Sequence, residues 1–400
     1  MVLPYLRGVV SGLKLLGVRL MRICFIAHSA GMYGAERALL ELLQGLTNEG
    51  VSCRVLVPEN GPFLIELDRL NIEWQIIKYP RWRPLRRKVK HRLIRTLKAL
   101  FFSIPMAQAI ARWQCDVVYT NTVVIGAGAF AAWLARRPHV WHLHEFWHIN
   151  PEEFFDLGSR VTALLIDRLS VVIIANSQAV KKEYSRYISS KKLQVIYQSV
   201  TFDEGSEHAP DRVEYKHAFT CVIVGSLQAL KGQQEAIAAL AEVVRRGINA
   251  ELLIVGAGSP DFQMVLEREI KHHGLEQSVI FYGHVENPIP LMRAADVVLM
   301  CSRFESFGRV TVEAMLAGKP VIGAASGGTA ELIQDGETGL LYEPGNHDEL
   351  AMKIEYLFEN PEKRLKLGSA ARVWATGRFA QQRYAREVHD LLTGVVARSR

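Results

Sequence analysis

Two hydrophobic rhythms take turns along this chain. Short apolar runs rich in β-branched residues alternate with longer stretches whose apolar residues recur at helical spacing. Runs at 22–28, 51–57, 74–77, 116–120, 140–144, 171–175 and 195–197 are predicted strands. After the first comes the loop 29–34, and then Ala38, Leu39, Leu42, Leu43 and Leu46 line one face of a helix over 35–46. Strand, glycine loop and helix form the opening unit of a doubly wound fold. The segment 203–216 is polar, is broken by Pro210 and carries no apolar period, so it is the expected linker. The pattern then restarts with a strand at 220–224, a helix at 233–244, and strands at 251–255, 278–282, 296–300 and 320–323. Near-continuous apolar strands imply parallel sheets covered on both faces. A last helix over 379–396, with Val388, Leu391 and Leu392, is expected to pack back across the first domain. The expected division is an extension at 1–20, an N-terminal domain at 21–202, the linker at 203–216, a C-terminal domain at 217–376 and the terminal helix segment at 377–400. Four hundred residues suit two domains of this kind.

One stretch departs from the rhythm. Arg83, Arg86, Arg87, Lys88, Lys90, Arg92 and Arg95 fall within 81–98, and Leu85, Val89, Leu93, Leu97 and Phe101 recur every fourth residue through it. That spacing predicts a basic amphipathic helix. Its apolar stripe either lies in the core or docks on an anionic membrane. Aromatic interleaving of the kind that stacks single-stranded bases is missing from it, so nucleic acid is not expected as a partner.

Charge changes the picture little. The net charge of +7 suits acidic partners such as nucleotides or anionic lipid surfaces without choosing among them. Most of the five cysteines sit in or beside apolar runs and no two make a metal-type pair, which points to reduced core residues in the cytoplasm. Segment 1–20 has some signal-like character, but Arg7, Lys14 and Arg19 recur through it and no small-residue cleavage site follows. It reads as an appendage, or as sequence upstream of a start at Met21.

The chemistry concentrates at 302–313. A strand at 296–300 breaks through Gly308 into a helix, which aims backbone N–H groups and a helix dipole at one point where a diphosphate fits. Glu305 and Glu313 can both face that point, and carboxylates accept hydrogen bonds from ribose or hexose hydroxyls. A strand restart at 318–322, the turn Ser326-Gly327-Gly328-Thr329-Ala330-Glu331 and the turn Asp335-Gly336-Glu337-Thr338-Gly339 follow.

In this order and spacing, 302–344 resembles the nucleotide-sugar-binding domain of the retaining glycosyltransferases of family four. The resemblance implies the GT-B fold: two Rossmann-like doubly wound domains facing across a cleft. Outside that block, Val224-Gly225-Ser226-Leu227 with Lys231-Gly232 resembles the family's phosphate-binding strand end, with Ser226 standing where an arginine is common. The turn Val255-Gly256-Ala257-Gly258 resembles the next glycine turn, and Gly283-His284-Val285 the segment that meets the nucleobase. In the first domain Gly34-Ala35-Glu36-Arg37 resembles the glycine loop over diphosphate and acceptor. His142 and His144 would share one side of a strand. Taken alone they hint at a metal, but Glu145 and His148 complete no convincing set.

The resemblance implies a donor site of Gly34, Ser226, Lys231, Val285, Glu305, Phe307, Gly308, Arg309 and Glu313. Its catalytic groups would be His144 beside the anomeric carbon, Glu305 on the sugar, and Lys231 on the leaving diphosphate. It also implies a UDP- or GDP-sugar as co-substrate, no other cofactor, no metal, retention of configuration, and a glycan or lipid-linked acceptor in cell-surface polysaccharide or glycolipid synthesis. The expected location is cytoplasmic, peripheral on the membrane. Two other readings fit the same residues: a nucleotide-sugar epimerase, and a non-catalytic nucleotide-sugar-binding subunit, to which Ser226 lends support.

Overall fold

The computed structural model describes residues 20–82, 89–147, 155–201 and 218–399. The expected extension (save residue 20) and the expected linker, together with Arg83, Arg86, Arg87, Lys88 and His148, lie outside them. So does the side chain of Lys90. The chain forms two units, Met1–Ser199 with Ala380–Arg400, and Val200–Phe379.

In the first unit, strands β1 (Arg22–Ile26), β2 (Ser52–Val57), β3 (Glu73–Ile76), β4 (Val117–Asn121), β5 (His139–Leu143), β6 (Val172–Ala175) and β7 (Leu193–Val195) are all parallel. Their order is β3-β2-β1-β4-β5-β6-β7. Helices α1 (Gly34–Asn48), α2 (Pro62–Arg69), α3 (Val89–Arg112), α4 (Ala127–Leu134), α5 (Gly158–Leu169) and α6 (Gln178–Tyr184) connect them. The strands are apolar on both sides because each side meets helices: Phe25, Tyr119 and Val140 face one cluster, Cys24, Ile26 and Val118 another.

The second unit repeats the scheme with β8 (Phe219–Val224), α7 (Gln233–Arg245), β9 (Ala250–Val255), α8 (Pro260–His272), β10 (Val279–Gly283), α9 (Ile289–Ala294), β11 (Val297–Met300), α10 (Arg309–Leu316), β12 (Val321–Ala324), α11 (Gly327–Leu332), β13 (Leu340–Tyr342), α12 (His347–Glu359) and α13 (Pro361–Arg378). The sheet order is β10-β9-β8-β11-β12-β13, again all parallel.

The final helix, α14 (Gln381–Ser399), packs on α1 in the first unit. Its Tyr384, Val388 and Leu392 are buried in that unit's core. Gly45 makes the approach possible, since a Cβ there would lie 2.5 Å from the Ala385 side chain.

The strands expected from sequence are present with ends moved by a residue or two, as hydrogen-bonding definitions commonly move them. The basic amphipathic helix differs more. It is described from Val89 and runs on to Arg112, through Pro105. Leu93, Leu97 and Phe101 are 62%, 56% and 66% exposed, so of the two placements open to the stripe the core is not the one adopted. The face against the sheet is instead built from Ala99, Met106, Ala109 and Ile110. All five cysteines are buried free thiols.

Candidate active site

In an open parallel sheet, a crevice forms where the chain leaves neighbouring strands in opposite directions, at their carboxyl ends. In the second unit that point lies between β8 and β11. The loops 225–232 and 301–308 flank it, and they touch backbone to backbone. A Cβ at Gly232 (φ +74°) would sit 2.3 Å from the Cys301 carbonyl oxygen, so only glycine fits.

Lys231 and Glu305 meet across this point, Nζ to Oε2 at 2.9 Å, with side chains 33% and 15% exposed. Gly308, at φ +98°, turns the chain into α10, whose first turn has no capping side chain. Its leading N–H groups are therefore suited to an anion. Glu313 lies buried farther along α10. Val285 is half-buried in the loop after the edge strand β10. Ser226 is exposed, and its carbonyl oxygen accepts from Gln233 Nε2 at 2.9 Å.

The residues around this point differ in what they can offer a donor. The Phe307 ring is buried, edge-on to Phe379 at 5.7 Å, which leaves its backbone as the part able to meet a ligand. The Arg303 guanidinium lies 3.6 Å from Glu235 in α7. The paired glycines are scaffolding: Gly328 N–H donates to the Glu305 carbonyl at 2.6 Å. A Cβ on Gly327 would lie 2.3 Å from that same oxygen, and one on Gly328 2.4 Å from the Phe307 carbonyl oxygen. The Asp335 turn is likewise internal, its Oδ1 accepting from Leu341 N–H at 2.8 Å as the chain enters β13.

The corresponding point of the first unit lies between β1 and β4. His144, just past β5, is buried, with Nε2 2.8 Å from Asn121 Oδ1. Asn121 Nδ2 donates to the Ala35 carbonyl at 3.1 Å. A carbonyl can only accept, so this contact fixes the Asn121 amide and makes His144 Nε2 the protonated nitrogen. The His142 ring centroid lies 4.1 Å from that of His144 with the planes tilted by 42°, and its Nδ1 is 2.7 Å from Tyr119 Oη. The two rings therefore stand side by side, each with its own partner. Burial, helped by His144, holds His142 well below the usual histidine range. Burial alone brings His139 down to about 3.

Sequence reasoning assigned no separate role to His28, Ser29 and Thr122, and took Glu36 only within the Gly34-Ala35-Glu36-Arg37 motif. Glu36, wholly buried in the first turn of α1, has Oε1 2.7 Å from His28 Nδ1 and 2.8 Å from Ser29 Oγ. Burial alone would raise its carboxyl; hydrogen bonds and charge from His28, with Ser29, outweigh that and hold it below its usual range. Thr122 adopts φ +85°, a strained conformation for a β-branched residue. It is pinned by Thr122 N–H to the His142 carbonyl at 2.8 Å and by Trp141 Nε1 donating to the Thr122 carbonyl at 2.7 Å. The sequence signs of this cluster are the Gly34-Ala35-Glu36-Arg37 motif and the polar end of an apolar strand, Thr120-Asn121-Thr122.

Comparison with known proteins finds matches among glycosyltransferases that use nucleotide sugars. Residues 32–204 match the model of Glycosyltransferase Family 4, and residues 206–374 that of Glycosyl transferases group 1. The N-acetyl-alpha-D-glucosaminyl L-malate synthase of Bacillus anthracis is 25% identical over 303 residues, 73% of this chain and 78% of that protein. A GDP-mannose-dependent alpha-(1-6)-phosphatidylinositol monomannoside mannosyltransferase of Mycobacterium tuberculosis is 29% identical over 300 residues, 68% of this chain and 76% of that protein. The crystal structure of Anabaena HepE in complex with UDP-glucose superposes with a TM-score of 0.78 at 29% identity, covering 94% of this chain and 100% of that one.

Proposed function

The chain belongs to the family-four glycosyltransferases of GT-B fold, and on that premise we propose that it transfers a hexose from a nucleotide diphosphate sugar, with retention and without a metal, to a glycan or lipid-linked acceptor. The observation that carries this reading is the Lys231–Glu305 pair at the β8/β11 crevice, beside the uncapped start of α10. Lys231 and the α10 N–H groups meet the diphosphate, whose developing charge is the main quantity to stabilise as it leaves. Glu305 accepts from sugar hydroxyls and Glu313 from the ribose. In the first unit, Asn121 orients His144.

The reaction we infer runs on one face of the sugar. The acceptor oxygen bonds to the anomeric carbon as the bond from that carbon to the phosphate oxygen breaks. The departing phosphate takes the acceptor proton, so no protein nucleophile is needed. UDP-glucose is the first donor to try, because the HepE structure that superposes over its whole length is a complex with UDP-glucose; GDP-mannose is the second, after the mycobacterial relative. The five buried free thiols support a reducing compartment, the cytoplasm.

Melting the protein against UDP-, GDP- and ADP-sugars tests donor choice. A donor at about one hundred times its Kd should add roughly 2.7 kcal/mol of stability. Turnover in excess chelator, with the product's anomeric configuration read by NMR, tests the rest. An inverted product refutes retention, loss of turnover refutes metal independence, and an epimerised nucleotide sugar formed from donor alone refutes transfer.

A further inference from the structure

We propose that the outward face of α3 docks the protein on an anionic lipid bilayer, with the helix lying along the surface. Six large apolar side chains, Leu93, Ile94, Leu97, Leu100, Phe101 and Ile104, stand 42–66% exposed on this one helix. They are spaced three and four residues apart, so they form one continuous face. Soluble proteins rarely leave so many large apolar side chains together in water unless something covers them.

The occupant follows from charge. Between Glu73 and Asp116 the sequence holds eleven Lys or Arg residues (at 78, 81, 83, 86, 87, 88, 90, 92, 95, 98 and 112) and not one Asp or Glu. An apolar protein partner would not require that one-sided charge; a bilayer with anionic headgroups rewards both features together. Among the described residues, Arg95 has a partner within the protein. Its guanidinium pairs with Asp156, so it anchors α3 to its own unit. Lys98 on α3 itself is exposed, as are Lys78 and Arg81 in the segment before it.

The segment His91–Arg112 is long and apolar enough to cross a membrane by composition, yet its opposite face packs Ala99, Met106, Ala109 and Ile110 into the core. Those contacts hold it on the protein and leave the exposed face for the interface.

Sedimentation of the full chain with vesicles tests this, using phosphatidylcholine alone against phosphatidylcholine mixed with phosphatidylglycerol. Binding is expected to the mixed vesicles only, to weaken with salt, and to fall on the order of tenfold or more in Leu97→Glu/Phe101→Glu. Both positions are exposed, so the variant should keep the wild-type melting temperature; Leu100→Asn gives a milder second reading. Equal pelleting with both vesicle types at all salt concentrations overturns the proposal. So does an apolar-face variant that binds vesicles like wild type. A wild-type dimer that the same variants split, with no vesicle binding, overturns it in favour of self-association.

Discussion

Lys231 and Glu305 are each other's partner at 2.9 Å, yet the proposed site gives them different halves of the donor. Substitutions at the two positions should therefore diverge when the ligand is shortened from UDP-glucose to UDP. Lys231→Ala removes a charge-assisted hydrogen bond to phosphate, worth about 1.5–3 kcal/mol, and should weaken both ligands roughly tenfold to a hundredfold. Glu305→Gln should act on UDP in the opposite direction. In the free protein Glu305 occupies Lys231, so a phosphate must win the lysine away. Because Lys231 is 33% exposed, solvent screens that pair and limits its worth to about 1 kcal/mol. UDP is thus expected to bind Glu305→Gln as tightly as wild type, or up to about fivefold more tightly, whereas UDP-glucose loses its sugar contacts and binds more weakly. Calorimetric titration of both ligands into the three proteins reads this directly. If Glu305→Gln weakens UDP as much as Lys231→Ala does, Glu305 touches the nucleotide half and the assignment is wrong.

Three other outcomes are expected. Asn121→Ala should cost about 1–3 kcal/mol, because it removes the amide that bridges the buried His144 Nε2 and the Ala35 carbonyl; turnover should collapse while UDP affinity, a property of the second unit, stays unchanged in calorimetry. Gly327→Ala should destabilise by about 2–4 kcal/mol, through left-handed strain at φ +53° and a clash with the Glu305 carbonyl. In contrast, Gly247→Ala, equally left-handed at φ +88° but with open space around it, should cost only about 1–2 kcal/mol, and urea melts compare the two. His139 and His142 are held neutral by burial, so below about pH 6.5 the unfolded chain takes up protons that the folded one refuses. Stability should be complete above that pH and fall by about 1.4 kcal/mol per pH unit per histidine as pH drops; in urea melts between pH 6.5 and 4.5, His139→Gln should remove one histidine's share of that slope.

The strands were legible because a parallel strand buried on both faces has to be apolar throughout, and 220–224 or 296–300 can hardly be anything else. The orientation of α3 was not legible, and the reason is physical. A four-residue period shows that one face is apolar but not which way that face points. Against α4, the close approach is made by Ala99 and Ala109 on one helix and Ala127, Ala131 and Ala132 on the other. Small side chains carry little hydrophobic weight in a sequence pattern, so the leucines drew the eye while the alanines made the contact.

The donor site had the opposite difficulty. Its motifs were visible, but sequence spacing cannot separate a group that touches a ligand from one that holds such a group in place. Glu305 reaches the crevice; Gly327 and Gly328 press on the backbone that carries it, at distances no larger residue allows. Loss of activity at either glycine is therefore not evidence of ligand contact. The distinction is measurable: a supporting glycine should lower donor affinity and cost about 2–4 kcal/mol of folding stability together, whereas Glu305→Gln should lower affinity for the sugar nucleotide and cost the fold no more than about 1 kcal/mol, the worth of its pair with Lys231.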